Sequence, residues 1–101
     1  MLYVIFGHEA PEGSVRRGAV REAHLARLLQ LQAGGRLLTA GPLPTAALTE
    51  SDRFHGSLVI AEFAAPADAR AWADAEPYLA AGVFDRVDVW PCRQVLPGNA
   101  P

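Results

Sequence analysis

The chain of 101 residues contains no lysine and only one cysteine, Cys92. A lone cysteine excludes an internal disulfide and a cysteine-based metal framework, and the absence of lysine excludes Schiff-base chemistry on a lysine side chain. No glycine pattern typical of dinucleotide binding occurs, and the three histidines lie at no metal-ligand spacing. We therefore expect no metal ion and no other cofactor.

The sequence also lacks long apolar runs and a strong net charge. No apolar stretch reaches the roughly 18 residues that a membrane span requires, and the apolar N-terminal segment has no basic region before it and no cleavage site after it. The nine basic residues are all arginines spread along the chain, and the formal net charge is −2, which argues against nucleic-acid binding. These features predict a cytoplasmic protein with neither a membrane nor a nucleic-acid partner.

Four segments are typical of strands and two are typical of helices. The strands are predicted at 2–8, 36–43, 56–64 and 85–95, and the helices at 15–32 and 66–76. Residues 45–55 form the longest predicted loop, and residues 97–101 form a loose tail after a single domain at 1–96. The order βαββαβ predicts an α+β fold of the ferredoxin-like kind, a four-stranded antiparallel sheet with two helices on one face.

The first and third predicted strands are apolar at both odd and even positions. Such strands are typical of a sheet that is covered on both faces, yet the two helices can cover only one. A monomer would expose a large apolar patch, which soluble proteins rarely tolerate. The pattern therefore predicts a homodimer in which two sheets pack against each other.

The first predicted helix carries three polar residues on its apolar side. Arg17, Arg21 and His24 are spaced by four and three residues, so they form one stripe within the arc of Val20, Leu25, Leu28, Leu29 and Leu31. The opposite side, with residues such as Glu22 and Arg27, has the polar character of a solvated face. Because buried cations require partners, we expect an anionic ligand or a protein carboxylate near the stripe. The alternative is that the arginines extend into water and His24 bonds to the backbone.

The second predicted helix offers a carboxylate for this stripe. Glu76 continues the spacing of its buried side, which includes Ala69, Trp72 and Ala73. The negative end of a helix disfavours a carboxylate unless a cation lies near it, so we expect Glu76 to meet His24. The alternative is that Glu76 leaves a frayed last turn and points into water.

These residues belong to longer motifs that span nearly the whole chain. They include His24-Leu25-Ala26-Arg27-Leu28, the run Arg36-Leu37-Leu38-Thr39-Ala40-Gly41-Pro42, and Ala71-Trp72-Ala73-Asp74-Ala75-Glu76-Pro77-Tyr78. In this order they resemble the YciI-like family. The resemblance implies a ferredoxin-like dimeric α+β barrel, related to muconolactone isomerases and to a dehydrochlorinase of chlorinated hydroxyquinols. It also implies that the family's catalytic histidine falls on His24 and its usual aspartate before Pro-Tyr on Glu76, whose side chain is one methylene longer.

The sequence thus predicts a cofactor-free acid–base enzyme of the isomerase, lyase or dehydrohalogenase type. His24, oriented by Glu76, would move a proton on a small anionic or phenolic molecule. The predicted substrate-binding residues are Arg17, Arg21, Gly41, Pro42 and Tyr78, of which Gly41 and Pro42 form a rigid rim. The alternative is a dimeric binding module that holds a small metabolite without reaction. An RNA-binding domain is excluded because the third strand lacks interleaved aromatic residues.

Overall fold

The computed structural model describes residues 1–46 and 53–98. The strands are β1 (Leu2–Glu9), β2 (Leu37–Pro44), β3 (Phe54–Glu62) and β4 (Phe84–Cys92), and the helices are α1 (Arg17–Ala33), α2 (Pro66–Asp74) and α3 (Pro77–Ala80). A 3₁₀ turn at Gly13–Val15 precedes α1. Within this part of the chain no helix has the length and apolar character that crossing a bilayer demands.

The four strands form one antiparallel sheet in the order β2-β3-β1-β4. The central pair, β1 and β3, runs in register from Leu2 opposite Glu62 to His8 opposite Gly56. The predicted ferredoxin-like α+β arrangement is confirmed.

Several element boundaries differ from those predicted, and most differences have a local cause. β3 ends at Glu62 and β4 at Cys92 because both residues pair with Leu2, the first residue of β1, so the sheet has no partner for later residues. Helix α2 stops at Asp74 rather than at residue 76, and a separate α3 follows. The predicted long loop falls largely on residues outside the described ones, and its last two residues, Phe54 and His55, already belong to β3.

One face of the sheet packs against the helices and forms the core. Its buried residues are Tyr3, Ile5, Val59, Ala61 and Val87, and the helices contribute Leu28, Leu31, Ala69 and Ala73. On α1 the buried positions are 24, 28 and 31, which is the narrow spacing of one helix face. The prediction that Leu29 also faces the sheet is wrong: it is 60% exposed because it lies about 100° around the helix from Leu28.

The other face of the sheet, here called the open face, has no cover within the described chain. Its central side chains are Leu2, Val4, Phe6, Leu58, Ile60 and Trp90. Burial alternates along β1, so that Tyr3 and Ile5 are buried while Leu2, Val4 and Phe6 are only partly buried. Trp90 opposite Val4 is 49% exposed. The chain therefore presents an apolar surface that differs from an ordinary solvated sheet face.

Candidate acid–base site

The imidazole of His24 meets the carboxylate of Glu76 between the helices and the sheet. The Nδ1 atom lies 2.6 Å from Glu76 Oε1, and the two side chains are only 9% and 4% exposed. His24 comes from the buried side of α1, together with Leu28 and Leu31. The contact predicted from the sequence is present, although 52 positions separate the two residues.

Glu76 reaches His24 by a route that the sequence analysis did not foresee. It is not the last residue of α2 but the N-cap of α3, with extended backbone angles of φ −64° and ψ 125°. Pro77 causes this because a proline disfavours helical geometry in the residue before it. Glu76 therefore lies just beyond the C-terminal end of α2 rather than in its last turn. Its Oε1 accepts a hydrogen bond from the backbone N–H of Tyr78 at 3.3 Å.

The ring of Tyr78 packs against one face of the His24 imidazole. The two rings are stacked with centroids 4.1 Å apart and planes inclined by 12°. Phe84 meets Tyr78 edge-on at 5.4 Å, and its own ring lies against Gly7, where a Cβ atom would come within 2.2 Å of it. Only glycine at this position of β1 leaves room for the stack Phe84–Tyr78–His24.

The phenol of Tyr78 is held in its neutral form. Burial raises its pKa above the ordinary value of 10.0, while the positive charges of Arg17 and Arg21 act in the opposite direction. At neutral pH Tyr78 therefore supplies an apolar platform and a neutral hydroxyl rather than a base.

Arg27 holds the second oxygen of Glu76. Its Nη1 donates to Oε2 at 3.3 Å, its Nη2 donates to the carbonyl of Trp72 at 2.8 Å, and its guanidinium lies 4.2 Å above the Trp72 ring. The sequence analysis placed Arg27 on the solvated side of the helix. A long side chain can bridge from that side to the neighbouring helix, and the spacing of three residues from His24 was the signal that could have revealed it.

The other ring nitrogen of His24, Nε2, makes no hydrogen bond to the described residues. A carboxylate only accepts hydrogen bonds, so the proton of the neutral ring lies on Nδ1, which leaves the lone pair on Nε2. Among the described side chains no fully buried nitrogen or oxygen lacks a partner, so Nε2 retains contact with solvent. The contact with Glu76 thus fixes the orientation of the ring.

Arg17 is paired with a carboxylate of the protein. Its Nε and Nη2 donate to the two oxygens of Glu9 at 2.8 and 2.7 Å, and Nη2 also donates to Ser57 Oγ at 2.9 Å. The guanidinium lies 4.3 Å from the Phe54 ring and 5.1 Å from the Tyr78 ring. The partner of this buried cation is thus a protein carboxylate, which the sequence analysis left open as an alternative to a ligand. Glu9 was not singled out because it ends a strand with no motif around it.

Arg21 is the remaining cation of the stripe. Its side chain is exposed and forms no hydrogen bond or ion pair with the residues that the structure describes, yet it is close enough to lower the pKa of Tyr78 against the effect of burial. Of the three polar residues on this side of α1, Arg21 is the one with donors to spare for an anionic ligand.

The predicted rim residues Gly41 and Pro42 lie in the edge strand β2. Pro42 pairs with Ser57, the hydroxyl partner of Arg17, whereas Gly41 pairs with Leu58 of the open face. A cavity of about 330 Å³ lies next to Arg17, and its lining includes Glu9, Ser14, Thr45, Arg53 and Phe54. This cavity shares Glu9 and Phe54 with the surroundings of Arg17, whereas Tyr78 and His24 are not among the residues that line it.

A second histidine–carboxylate pair lies on the open face. His8 Nε2 is 2.6 Å from Asp88 Oδ2 and 3.3 Å from Arg86 Nη2, and the Phe6 ring lies 4.7 Å from the His8 ring at a tilt of 33°. The hydrogen bond from His8 is the main reason that the pKa of Asp88 is lowered. Within residues 1–46 and 53–98, no three side chains converge as a metal site would require.

Comparison with known proteins assigns this architecture to a family. The model of the YCII-related domain matches residues 1–93. The chain belongs to the YCII-related family. Two relatives of the domain are Protein YciI of Escherichia coli O6:H1, 50% identical over 98 residues, and an uncharacterized protein of Haemophilus influenzae, 48% identical over 100 residues. Each alignment covers 95% of this chain and all of the relative. The resemblance to the YciI-like family is confirmed.

A solved structure is similar to this YCII-related domain over almost its whole length. It is the 5-chloro-2-hydroxyhydroquinone dehydrochlorinase of Burkholderia phenoliruptrix AC1100, in complex with 2,5-dihydroxybenzoquinone. The TM-score is 0.79 at 26% sequence identity, covering 92% of this chain and 94% of the dehydrochlorinase. The fold is thus that of a protein that binds a small quinone.

Proposed function

We propose that this YCII-related domain is a cofactor-free acid–base enzyme that acts on small phenolic or anionic molecules. The observation that carries the proposal is the state of the His24 ring, in which Glu76 accepts from Nδ1 at 2.6 Å while Nε2 makes no hydrogen bond to the described residues. A ring held in this way offers its lone pair in one fixed direction.

The proposed chemistry starts with transfer of a substrate proton to Nε2. The resulting imidazolium is stabilised by Glu76, which is the role of the acid in other histidine–carboxylate pairs. Arg27 balances the charge of Glu76 before the substrate binds. Arg21 supports negative charge that develops on the substrate, and Tyr78 keeps the imidazole in place.

The similar dehydrochlorinase supports phenols and quinones as the substrate class. Its name states loss of hydrogen chloride from a chlorinated hydroxyhydroquinone, and its structure holds a dihydroxybenzoquinone. In such a reaction here, the substrate would react from its keto tautomer, in which the carbon that bears chlorine has already gained a proton. Nε2 would take a hydroxyl proton, the O–H electron pair would form a C=O bond, the ring double bond would shift, and chloride would leave with the electron pair of the C–Cl bond. Isomerisation of a small lactone requires the same base and remains within the proposal.

The proposal includes a homodimer formed through the open face. Its apolar centre, with Val4, Phe6, Leu58 and Ile60, has the character of half a core rather than of a solvated surface. Two such sheets pack face to face at about 10 Å. The His24 site lies on the helix side of the sheet, so each subunit would hold a site of its own.

The direct test is a substrate panel with a matched pair of variants. Wild type, His24→Gln and Arg70→Gln are assayed with 5-chloro-2-hydroxyhydroquinone, other small phenols and small lactones, and chloride release and substrate absorbance are followed. Arg70 is a suitable control because it forms only an exposed pair with Asp74 on α2. We expect turnover by wild type and Arg70→Gln, and a loss of about 10²- to 10⁴-fold in His24→Gln.

The alternative, a binding module, predicts a different outcome of the same experiment. Ligands would bind to wild type, with a shift of the His24 ring signals in NMR, but no compound would be consumed. Turnover that is equal in wild type and His24→Gln would place any chemistry elsewhere in the molecule.

A further inference from the structure

Arg27 makes three contacts around the acid of the proposed dyad. It donates to Glu76 Oε2 at 3.3 Å, which is also an ion pair, and to the Trp72 carbonyl at 2.8 Å. Its guanidinium lies 4.2 Å above the Trp72 ring, and its side chain is only 21% exposed. A guanidinium held by a carbonyl and a ring has little freedom to move. It is thus a fixed donor for one particular oxygen.

We propose that Arg27 is a positioning residue that fixes the Glu76 carboxylate and thereby keeps the neutral His24 ring protonated on Nδ1. The inference rests on the proposed function, because it concerns how the same site is prepared for proton transfer.

The contacts of the two Glu76 oxygens support this role of Arg27. Glu76 is anchored through Oε1 by His24 and by the Tyr78 N–H, but these contacts alone allow the carboxylate to turn about its last bond. Arg27 holds Oε2 and so defines the carboxylate plane. A carboxylate with a fixed plane accepts from Nδ1 in one direction, which fixes both the ring orientation and the site of its proton.

The buried charge of Glu76 supports the same role. Glu76 is 4% exposed and needs a counter-cation. Arg27 supplies this cation, with Nη1 3.3 Å from Oε2. Arg17 is not available for that role, because it is already paired with Glu9.

The remaining titratable and charged groups that face His24 are few. Tyr78 lies beneath it and is neutral, since burial raises its pKa, and Arg21 lies one turn earlier on α1 in an exposed position. Neither changes when Arg27 is replaced. The position of the proton on the neutral His24 ring in Arg27 variants therefore reports on the Glu76–Arg27 contact.

The test uses ¹⁵N signals of the neutral His24 ring in wild type, Arg27→Gln, Arg27→Lys and the control Arg70→Gln. Wild type should show the single tautomer that is protonated on Nδ1, whereas both neutral tautomers should appear in Arg27→Gln. Both should also appear in Arg27→Lys, because an ammonium lacks the planar fork that fixes the carboxylate plane. Arg70→Gln should match wild type.

The proposal is overturned if a folded Arg27→Gln keeps the single Nδ1-protonated tautomer of wild type. If Arg27→Gln does not fold, Arg27→Lys decides, since a single tautomer in that variant would equally overturn it. The readout needs no substrate, so it is separate from the proposed function. Wild type that turns over no compound would defeat the enzyme proposal while leaving the role of Arg27 intact.

Discussion

The imidazole of His24 lies flat on the phenol ring of Tyr78, with ring centroids 4.1 Å apart. Its edge is held by Glu76 through Nδ1 at 2.6 Å. Two residues of one tripeptide, Glu76-Pro77-Tyr78, thus fix the ring from its edge and from its face. Pro77 between them ends α2 and starts α3, so that the acid and the platform converge on one histidine.

The raised pKa of Tyr78 predicts how stability depends on pH in alkaline solution. Burial makes the folded state hold the phenol proton more tightly. The contribution of Tyr78 to the free energy of unfolding is therefore complete below the pKa of the unfolded state, near 10, and is lost as pH rises through the pKa of the folded state. Urea unfolding at about pH 8 and about pH 11 should show a steeper loss of stability for wild type than for Tyr78→Phe. Parallel losses in the two proteins would contradict the account.

Replacement of Glu76 separates charge from length. Glu76→Gln keeps a carbonyl acceptor but loses the charge that stabilises imidazolium, so turnover should fall between about 10-fold and 10⁴-fold. Glu76→Asp keeps the charge but shortens the side chain. Because the carboxylate of Glu76 contacts His24 and Arg27 at the same time, the shorter side chain should lose one of these two contacts. Activity and ¹⁵N signals of the ring measure both effects. Full activity of Glu76→Gln would rule out the charge argument.

The buried pair of Arg17 and Glu9 should stabilise the folded protein rather than bind the negative charge of a ligand. Their side chains are 11% and 5% exposed, and removal of one partner of such a pair costs about 3–5 kcal/mol. Arg17→Met should therefore lower the free energy of unfolding by that amount, because Glu9 is left buried and uncompensated. The double variant Arg17→Met with Glu9→Gln should recover part of the loss. A change below about 1 kcal/mol in Arg17→Met, the level of a surface pair, would contradict this interpretation.

The proposed homodimer predicts a contrast between two surface variants. Ile60→Glu places a charge at the centre of the open face opposite Val4 and should dissociate the dimer, since an unpaired charge cannot be buried at little cost. Leu29→Glu changes an apolar side chain that is 60% exposed on α1 and should leave the dimer intact. Sedimentation at tens of micromolar protein distinguishes the two variants. A wild-type protein that sediments as a monomer would contradict the proposed homodimer.

Much of the fold could be predicted from the sequence because its signals are local. The two-sided apolarity of β1 and β3, the glycines after α1 and the proline at the start of α2 each act within a few residues. The predicted contact between His24 and Glu76 followed from two buried helix stripes. The short α3 was not predicted, since Pro77 indicates where a helix stops but a four-residue helix leaves too few positions for a periodic pattern.

The surroundings of the site were harder to predict because they depend on tertiary contacts. Glu9 as the partner of Arg17 depends on how the end of β1 meets the start of α1, which no spacing in the sequence encodes. Arg27 reaches Glu76 only because its long side chain crosses from the outer side of α1 to Trp72. Residues of this kind become visible only when the helices are placed beside each other.

The most direct measurement of the central claim is titration of ¹⁵N-labelled protein with 2,5-dihydroxybenzoquinone, with the two ring nitrogens of His24 observed separately. The account predicts that the Nε2 signal shifts on binding while Nδ1 stays protonated by its bond to Glu76, and that His24→Gln binds the compound less tightly. Saturable binding that leaves both His24 nitrogens unchanged, with equal affinity in His24→Gln, would show that the ligand site lies elsewhere and that His24 is not the base.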